Sequence, residues 1–278
     1  MAIIEFKNFY WKYEGKDDFT LKGINLKIEE GESVGIIGEN EGGKTTLLRS
    51  INGLIPFSYR GIFKGSVSVA GKFVHKESIS EISRVVGFVF SDPDSQFTST
   101  NVFEELIFGL ENLNLSIKEI EERINWIVEK LDLKEFLYRV PYELSGGQKQ
   151  KVGIASVLVM KPRILILDEP TSMLDPIGKE EIFSVVKELK EEENMTLIIV
   201  EHNLEELFKI VERVIYIENG KIVYDLKKSE FLNVWDYEKE TVNMPDISKI
   251  FSFIKKFKDG NFSIPFELEE AERIIKEI

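Results

Sequence analysis

The sequence predicts an α/β fold, and three observations predict it. Short apolar runs at Ile164–Leu167, Thr196–Val200 and Val214–Ile217 are bounded by polar residues and separated by helical patterns, as strands buried inside a sheet should be. The first third of the chain is β-rich, and the middle third carries apolar residues at helical spacing. In chain order, Ile3–Phe9, Ile24–Ile28 and Ser33–Ile37 read as strands, punctuated by Gly15, Gly23 and Gly31. A second β-like patch spans Gly65–Val74 and Val85–Phe90, which gives the fold an antiparallel β subdomain. Beyond Asp92 the character changes. Ser116 and Glu119 form a capping box opening a helix that carries Ile120, Ile124, Ile127, Val128 and Leu131 on one face. A helical subdomain is expected from about 98 to 160, inside a main domain of residues 1–228. After that the pattern becomes irregular, with Pro245, Gly260 and Pro265 among helix-like pieces, and 229–278 reads as a small appended C-terminal region.

Composition narrows the function. A formal charge of -13 disfavours nucleic acid as a partner, because phosphate backbones are gripped by clustered Lys and Arg. There is no cysteine, and the two histidines, His75 and His202, are too far apart in sequence to make a local metal motif. No apolar run is long enough to cross a bilayer, and the N-terminus lacks the basic-then-apolar pattern of a secretory signal. The expectation is a cytosolic protein whose membrane role, if it has one, is peripheral.

The chemistry begins at Gly38-Glu39-Asn40-Glu41-Gly42-Gly43-Lys44-Thr45, a GxxxxGK[ST] loop between a buried strand and a helix. This pattern predicts a P-loop NTPase core. Inward-pointing backbone N–H groups and the helix N-terminus bind phosphates, and Lys44 reaches the β and γ phosphates. Gly38, Asn40, Gly42, Gly43, Lys44, Thr45 and Thr46 are the expected ATP-binding set, with the Thr45 hydroxyl on Mg²⁺. Glu41 is unfavourable beside phosphates and should point to solvent or a partner. A second strand ends in Asp168-Glu169, at the sheet edge where α/β ligands bind. Asp168 is expected to hold the magnesium shell, and Glu169 to orient or deprotonate the attacking water. Leu144-Ser145-Gly146-Gly147-Gln148 opens a helix, with Ser145 as N-cap and Gln148 reciprocating, and its two glycines expose N–H groups as a second anion site.

Together, the phosphate loop, LSGGQ, LILDEP, Ser172-Met173-Leu174-Asp175 and His202 resemble the ATP-binding cassette ATPases in order and spacing, over residues 1 to about 228. The resemblance implies two subunits packed head to tail, with ATP between the phosphate loop of one and the LSGGQ helix of the other. Ser145, Gly146, Gly147 and Gln148 would then meet the partner's ATP. Asp175 would lie in the D-loop, and His202 would be the histidine that senses the γ-phosphate. The aromatic on adenine should be Tyr13, with Trp11 as the alternative.

Val86–Phe97 looks like the region that precedes the helical subdomain in energy-coupling factor importer ATPases, which serve vitamin, cobalt or nickel uptake. That resemblance implies that Pro93, Asp94 and Gln96 face integral membrane subunits at the cytoplasmic face of the membrane. Three positions depart from the family pattern: Ser91 for the usual glutamine, Glu41 for a glycine, and Lys151 for an arginine. They imply slower turnover at this loop and favour a non-identical second ATPase subunit over an identical one. A soluble non-transport cassette ATPase is the competing reading.

Overall fold

Strands form where β-branched and aromatic residues run together, and here they fold into two separate sheets. The computed structural model describes residues 2–171, 173–237, 242–257 and 262–277. In the first sheet β1 (Ala2–Tyr13) pairs antiparallel with β2 (Leu21–Glu29) on one side and with β4 (Gly61–Val69) on the other. A two-residue β5 (Lys72–Phe73) closes its edge.

The second sheet has the order β10 (Lys221–Lys227), β9 (Arg213–Glu218), β3 (Ser33–Gly38), β8 (Thr196–Val200), β7 (Ile164–Asp168), β6 (Val86–Val89). All neighbours are parallel except β10, which returns antiparallel along β9. The Val85–Phe90 run therefore divides from the β patch before it. Val86 to Val89 pair with Ile164 to Leu167 and belong to the parallel sheet, whereas 61–73 belong to the antiparallel one.

Every residue of β3, β7 and β8 is buried, because both faces of this sheet are covered. Alternate side chains divide between two cores. Ile164 and Ile166 join the first sheet, α1 (Lys44–Ile51), α2 (Leu54–Phe57) and α3 (Ile79–Ser83). Leu165 and Leu167 join the core built with α4 (Val102–Glu111), α5 (Ile117–Lys130), α6 (Gly146–Leu158), α7 (Pro176–Glu193) and α8 (Leu204–Phe208). At roughly 1.5–3 kcal/mol per fully buried aliphatic side chain, this double coverage is the main force fixing the strand ends that carry the site.

The helix starts are fixed locally. Ser116 Oγ accepts from Glu119 N–H and the Glu119 carboxylate accepts from Ser116 N–H, so α5 opens with a complete capping box. The C-terminal helices α9 (Lys228–Val234), α10 (Asp246–Phe257) and α11 (Leu268–Glu277) follow β10, and Trp235, Phe251, Phe266 and Ala271 enter the same core as α4–α8. Gly260 lies outside the described residues. Among those residues no helix is long and apolar enough to cross a membrane.

Candidate functional site

The phosphate loop is shaped by what lies behind it. Gly38, at φ 148°, ends β3 so close to β9 that a Cβ would stand 2.1 Å from the Ile217 carbonyl oxygen, and only glycine fits. Gly42 N–H donates to Glu39 O (3.1 Å), and Gly220 N–H, from the β9–β10 turn, donates to Gly42 O (3.1 Å). Gly43 at φ 108° caps α1 with no side-chain partner, and no acid sits in the first turn, so the positive end of the helix is unopposed. Glu41 holds a left-handed φ of 61° and is exposed, its side chain turned to solvent.

Lys44 is only 8% exposed, and its ammonium donates to Gly38 O (2.9 Å) and Glu39 O (2.8 Å). Burial pushes it down from the ordinary lysine value, while the Glu169 and Asp168 carboxylates push it back up. Asp168 is buried beneath the loop; burial raises its carboxyl above the usual aspartate range, and a hydrogen bond from the Thr45 hydroxyl opposes the rise. Thr45 and Asp168 are thus adjacent hard oxygen donors, which fit a magnesium ion that takes its remaining ligands from phosphates and water.

Glu169 follows with φ 52°, a left-handed conformation unusual outside glycine. Its N–H donates to Val200 O (2.9 Å), and its Oε1 lies 2.9 Å from His202 Nε2. Strands β7 and β8 thereby bring together two residues 33 apart in sequence.

Tyr13 is part-buried at the end of β1, and its hydroxyl lies 3.2 Å from Thr46 Oγ1 beside the loop. Trp11 is fully buried and packs against Gly61, so it is a core residue and cannot stack on adenine. Ser145 and Gly146 are exposed at the start of α6, where Ser145 and Gln148 cap one another and the glycines pack beside Met173 and Leu174. Asp175 caps α7, accepting from Gly178 N–H at 2.7 Å. Ser172 lies outside the described residues.

The Pro93–Gln96 element has partners inside the chain. Pro93 is buried, and Asp94 pairs with Lys149 of α6 (2.7 Å). The Gln96 amide donates to Gly153 O (2.7 Å) and Ser156 Oγ (3.0 Å), and its oxygen accepts from Phe90 N–H (3.4 Å). One residue escapes the motif reading altogether. Glu201, directly before His202, is only 7% exposed and accepts from the Thr171 hydroxyl at 2.8 Å. An acid placed straight after the apolar run Leu197–Val200 was its only sequence signal.

A family model described as ABC transporter matches residues 21–172. The chain is 38% identical over 261 residues, 93% of its length and 89% of the relative's, to the energy-coupling factor transporter ATP-binding protein EcfA1 of Bacillus subtilis. It is similar in structure to cbiO1 of Clostridium perfringens, described as part of the ABC transporter complex cbiONQ, at TM-score 0.71 and 32% identity, covering 82% of this chain and 90% of that one. It also resembles a dimeric ATP-binding cassette in a post-hydrolysis state bound to ADP and Pi, at TM-score 0.70 and 30% identity, covering 81% and 98%. A phosphate loop backed by paired acids and a histidine, within a sequence and fold matched over most of their length, places the chain in the family of ABC transporter ATP-binding subunits, beside the energy-coupling factor branch.

Proposed function

We propose that this chain hydrolyses ATP to energise a membrane importer of the energy-coupling factor type, for a vitamin or a metal ion. The observation that carries the catalytic half is the Glu169–His202 contact next to the phosphate loop. In this reading Lys44 leaves its loop carbonyls for the β and γ phosphates, and Tyr13 supports the adenine. Thr45 and Asp168 would hold magnesium, which when bound would supply positive charge against the phosphates. Glu169 orients a water in line with the γ-phosphorus and accepts its proton, and His202 fixes the Glu169 carboxylate. The exposed Ser145–Gly146 turn serves the ATP held by a second cassette subunit, so two chains complete each site. Glu41 and Ser91 make this loop the slower of a non-identical pair.

A groove of about 530 Å³ supports the membrane half of the reading. Phe88, Phe90, Phe108 and Met160 line it together with Arg84 and Gln96, between the parallel sheet and the helical region, and Phe108 is 55% exposed. A helix of a membrane subunit fits such an apolar groove. Gln96 lines it, and Asp94 and Gln96 fasten the adjoining loop, which also carries Pro93, to α6.

Turnover and capture test the two halves separately. Glu169→Gln should keep nucleotide binding and lose about 10²–10⁴ in kcat; undiminished turnover would reject the catalytic assignment. Phe108→Asp should leave ATP binding intact and abolish co-purification with the membrane subunit, and unaltered capture would reject the groove.

A further inference from the structure

Glu201 takes no part in the chemistry above, yet it is a carboxylate buried beside it. Three consecutive residues at the end of β8 grip the segment that carries Glu169. Val200 O accepts from Glu169 N–H, Glu201 Oε1 accepts from Thr171 Oγ1 (2.8 Å) and Thr171 N–H (3.3 Å), and His202 Nε2 contacts Glu169 Oε1. Glu169–Pro170–Thr171 is therefore tied at both ends. Such ties are required, because a left-handed Glu169 persists only where its surroundings over-determine it.

We propose that Glu201 is a positioning residue for hydrolysis, holding Thr171 so that Glu169 keeps its left-handed conformation and presents its carboxylate to the attacking water. The same bonds set the start of the turn leading to Asp175, since Thr171 O accepts from Leu174 N–H at 3.1 Å. Burial raises the Glu201 carboxyl from the ordinary glutamate value, the Thr171 hydrogen bonds and Lys179 lower it, and Glu169 raises it. A group held at that desolvation cost without structural use would be selected against by stability alone.

The proposal rests on Glu169 as the catalytic base, and the test separates the two. Glu201→Ala, Glu201→Gln, Thr171→Val and Glu169→Gln would be compared in the full chain, within the assembly that turns over ATP. The readouts are kcat, Kd for a fluorescent ATP analogue, and Tm. Glu201→Ala should lower kcat by roughly tenfold or more with Kd unchanged, since small misplacements of a reacting group are that costly. Glu201→Gln, which keeps the acceptor oxygen, should restore most of kcat. A kcat for Glu201→Ala equal to wild type, with only Tm reduced, would overturn the proposal and leave Glu201 structural. A loss in Glu201→Gln as deep as in Glu201→Ala would also overturn it, because charge rather than hydrogen bonding would then matter. If Glu201→Ala does not fold, Thr171→Val removes the shorter of the two bonds, that from the hydroxyl, from the other side, and an unchanged kcat there would likewise overturn the proposal. Turnover surviving in Glu169→Gln would instead remove the reading beneath, whatever Glu201 does.

Discussion

Replacing Glu41 separates two penalties that the phosphate loop carries at one position. The first is conformational, since an L-residue in the left-handed region costs about 1–2 kcal/mol, and Glu41 sits there at φ 61°. Glycine removes that cost but frees the unfolded chain by roughly 0.5–1 kcal/mol, leaving a net gain near 0.5–1 kcal/mol. For a chain this long that is about 1–3 °C in Tm. The second penalty is electrostatic and acts on the ligand, because a carboxylate on the loop repels the triphosphate. It is exposed, so solvent weakens the repulsion, and the expected gain on removing the charge is about two- to fourfold in Kd at low salt. At 0.15 M salt, with a screening length of about 8 Å, most of that gain should vanish. Glu41→Gln removes the charge and keeps the strain, whereas Glu41→Gly removes both. Thermal melting of the nucleotide-free chain and equilibrium titration with a fluorescent ATP analogue, at two salt concentrations, read the two effects. The reasoning fails if Glu41→Gln leaves low-salt affinity unchanged, or if Glu41→Gly does not melt above Glu41→Gln.

Tyr13→Ala should weaken nucleotide binding several-fold with little change in Tm, while Trp11→Ala should cost about 3–5 kcal/mol of stability, as for other buried aromatics; chemical denaturation beside nucleotide titration distinguishes them. Gln96→Ala removes three part-buried hydrogen bonds, so it should cost on the order of 2 kcal/mol, and hydrogen exchange should rise first at Phe90 and in the second half of α6, around Gly153 and Ser156. Acidity gives a sign test at Glu201. Its folded pKa is raised, so the stability it contributes is full below the unfolded value of 4.5 and is lost as pH rises through the folded value. Glu201→Gln should therefore melt with wild type near pH 4 and above it at neutral pH, and a difference that shrinks as pH rises would contradict the burial argument.

The parts of the site legible in the sequence are those that are local along the chain. The phosphate loop, the Asp168–Glu169 strand end and the Ser145–Gln148 cap each lie within a few residues, so residue types and spacing determine their geometry. Pairing between distant segments is where reading stopped. Val85–Phe90 is apolar enough for either sheet, and only its register against Ile164–Leu167 decides. Trp11 and Tyr13 are two residues apart on one strand, so alternation puts them on the same face and cannot separate them. What separates them is cover, since Trp11 lies under Gly61 while Tyr13 reaches the open end beside Thr46. The internal pairings of Gln96 and Glu201 were hidden for the same reason. Their partners lie 57 and 30 residues away, and a polar side chain looks exposed until its partner is known.

That same long-range pairing anchors α6, the helix that opens with the Ser145–Gly147 turn. α6 is held along its length by Asp94 at Lys149, by Gln96 at Gly153 and Ser156, and by Glu181 of α7 at Lys151. Lys149 and Gly153 are one turn apart on a single helix, so the loop at 92–96 grips a rigid lever rather than one side chain. The buried Glu105 carboxylate accepts from Thr98 and Ser99 N–H, which keeps the far side of that loop ordered in the isolated chain. A loop folded before any partner arrives loses little entropy on docking. In the proposed docking, force applied at the groove would reach the glycines of the turn through bonds already made, and Gln96→Ala should weaken that coupling, read as ATP turnover that no longer responds to the membrane subunit.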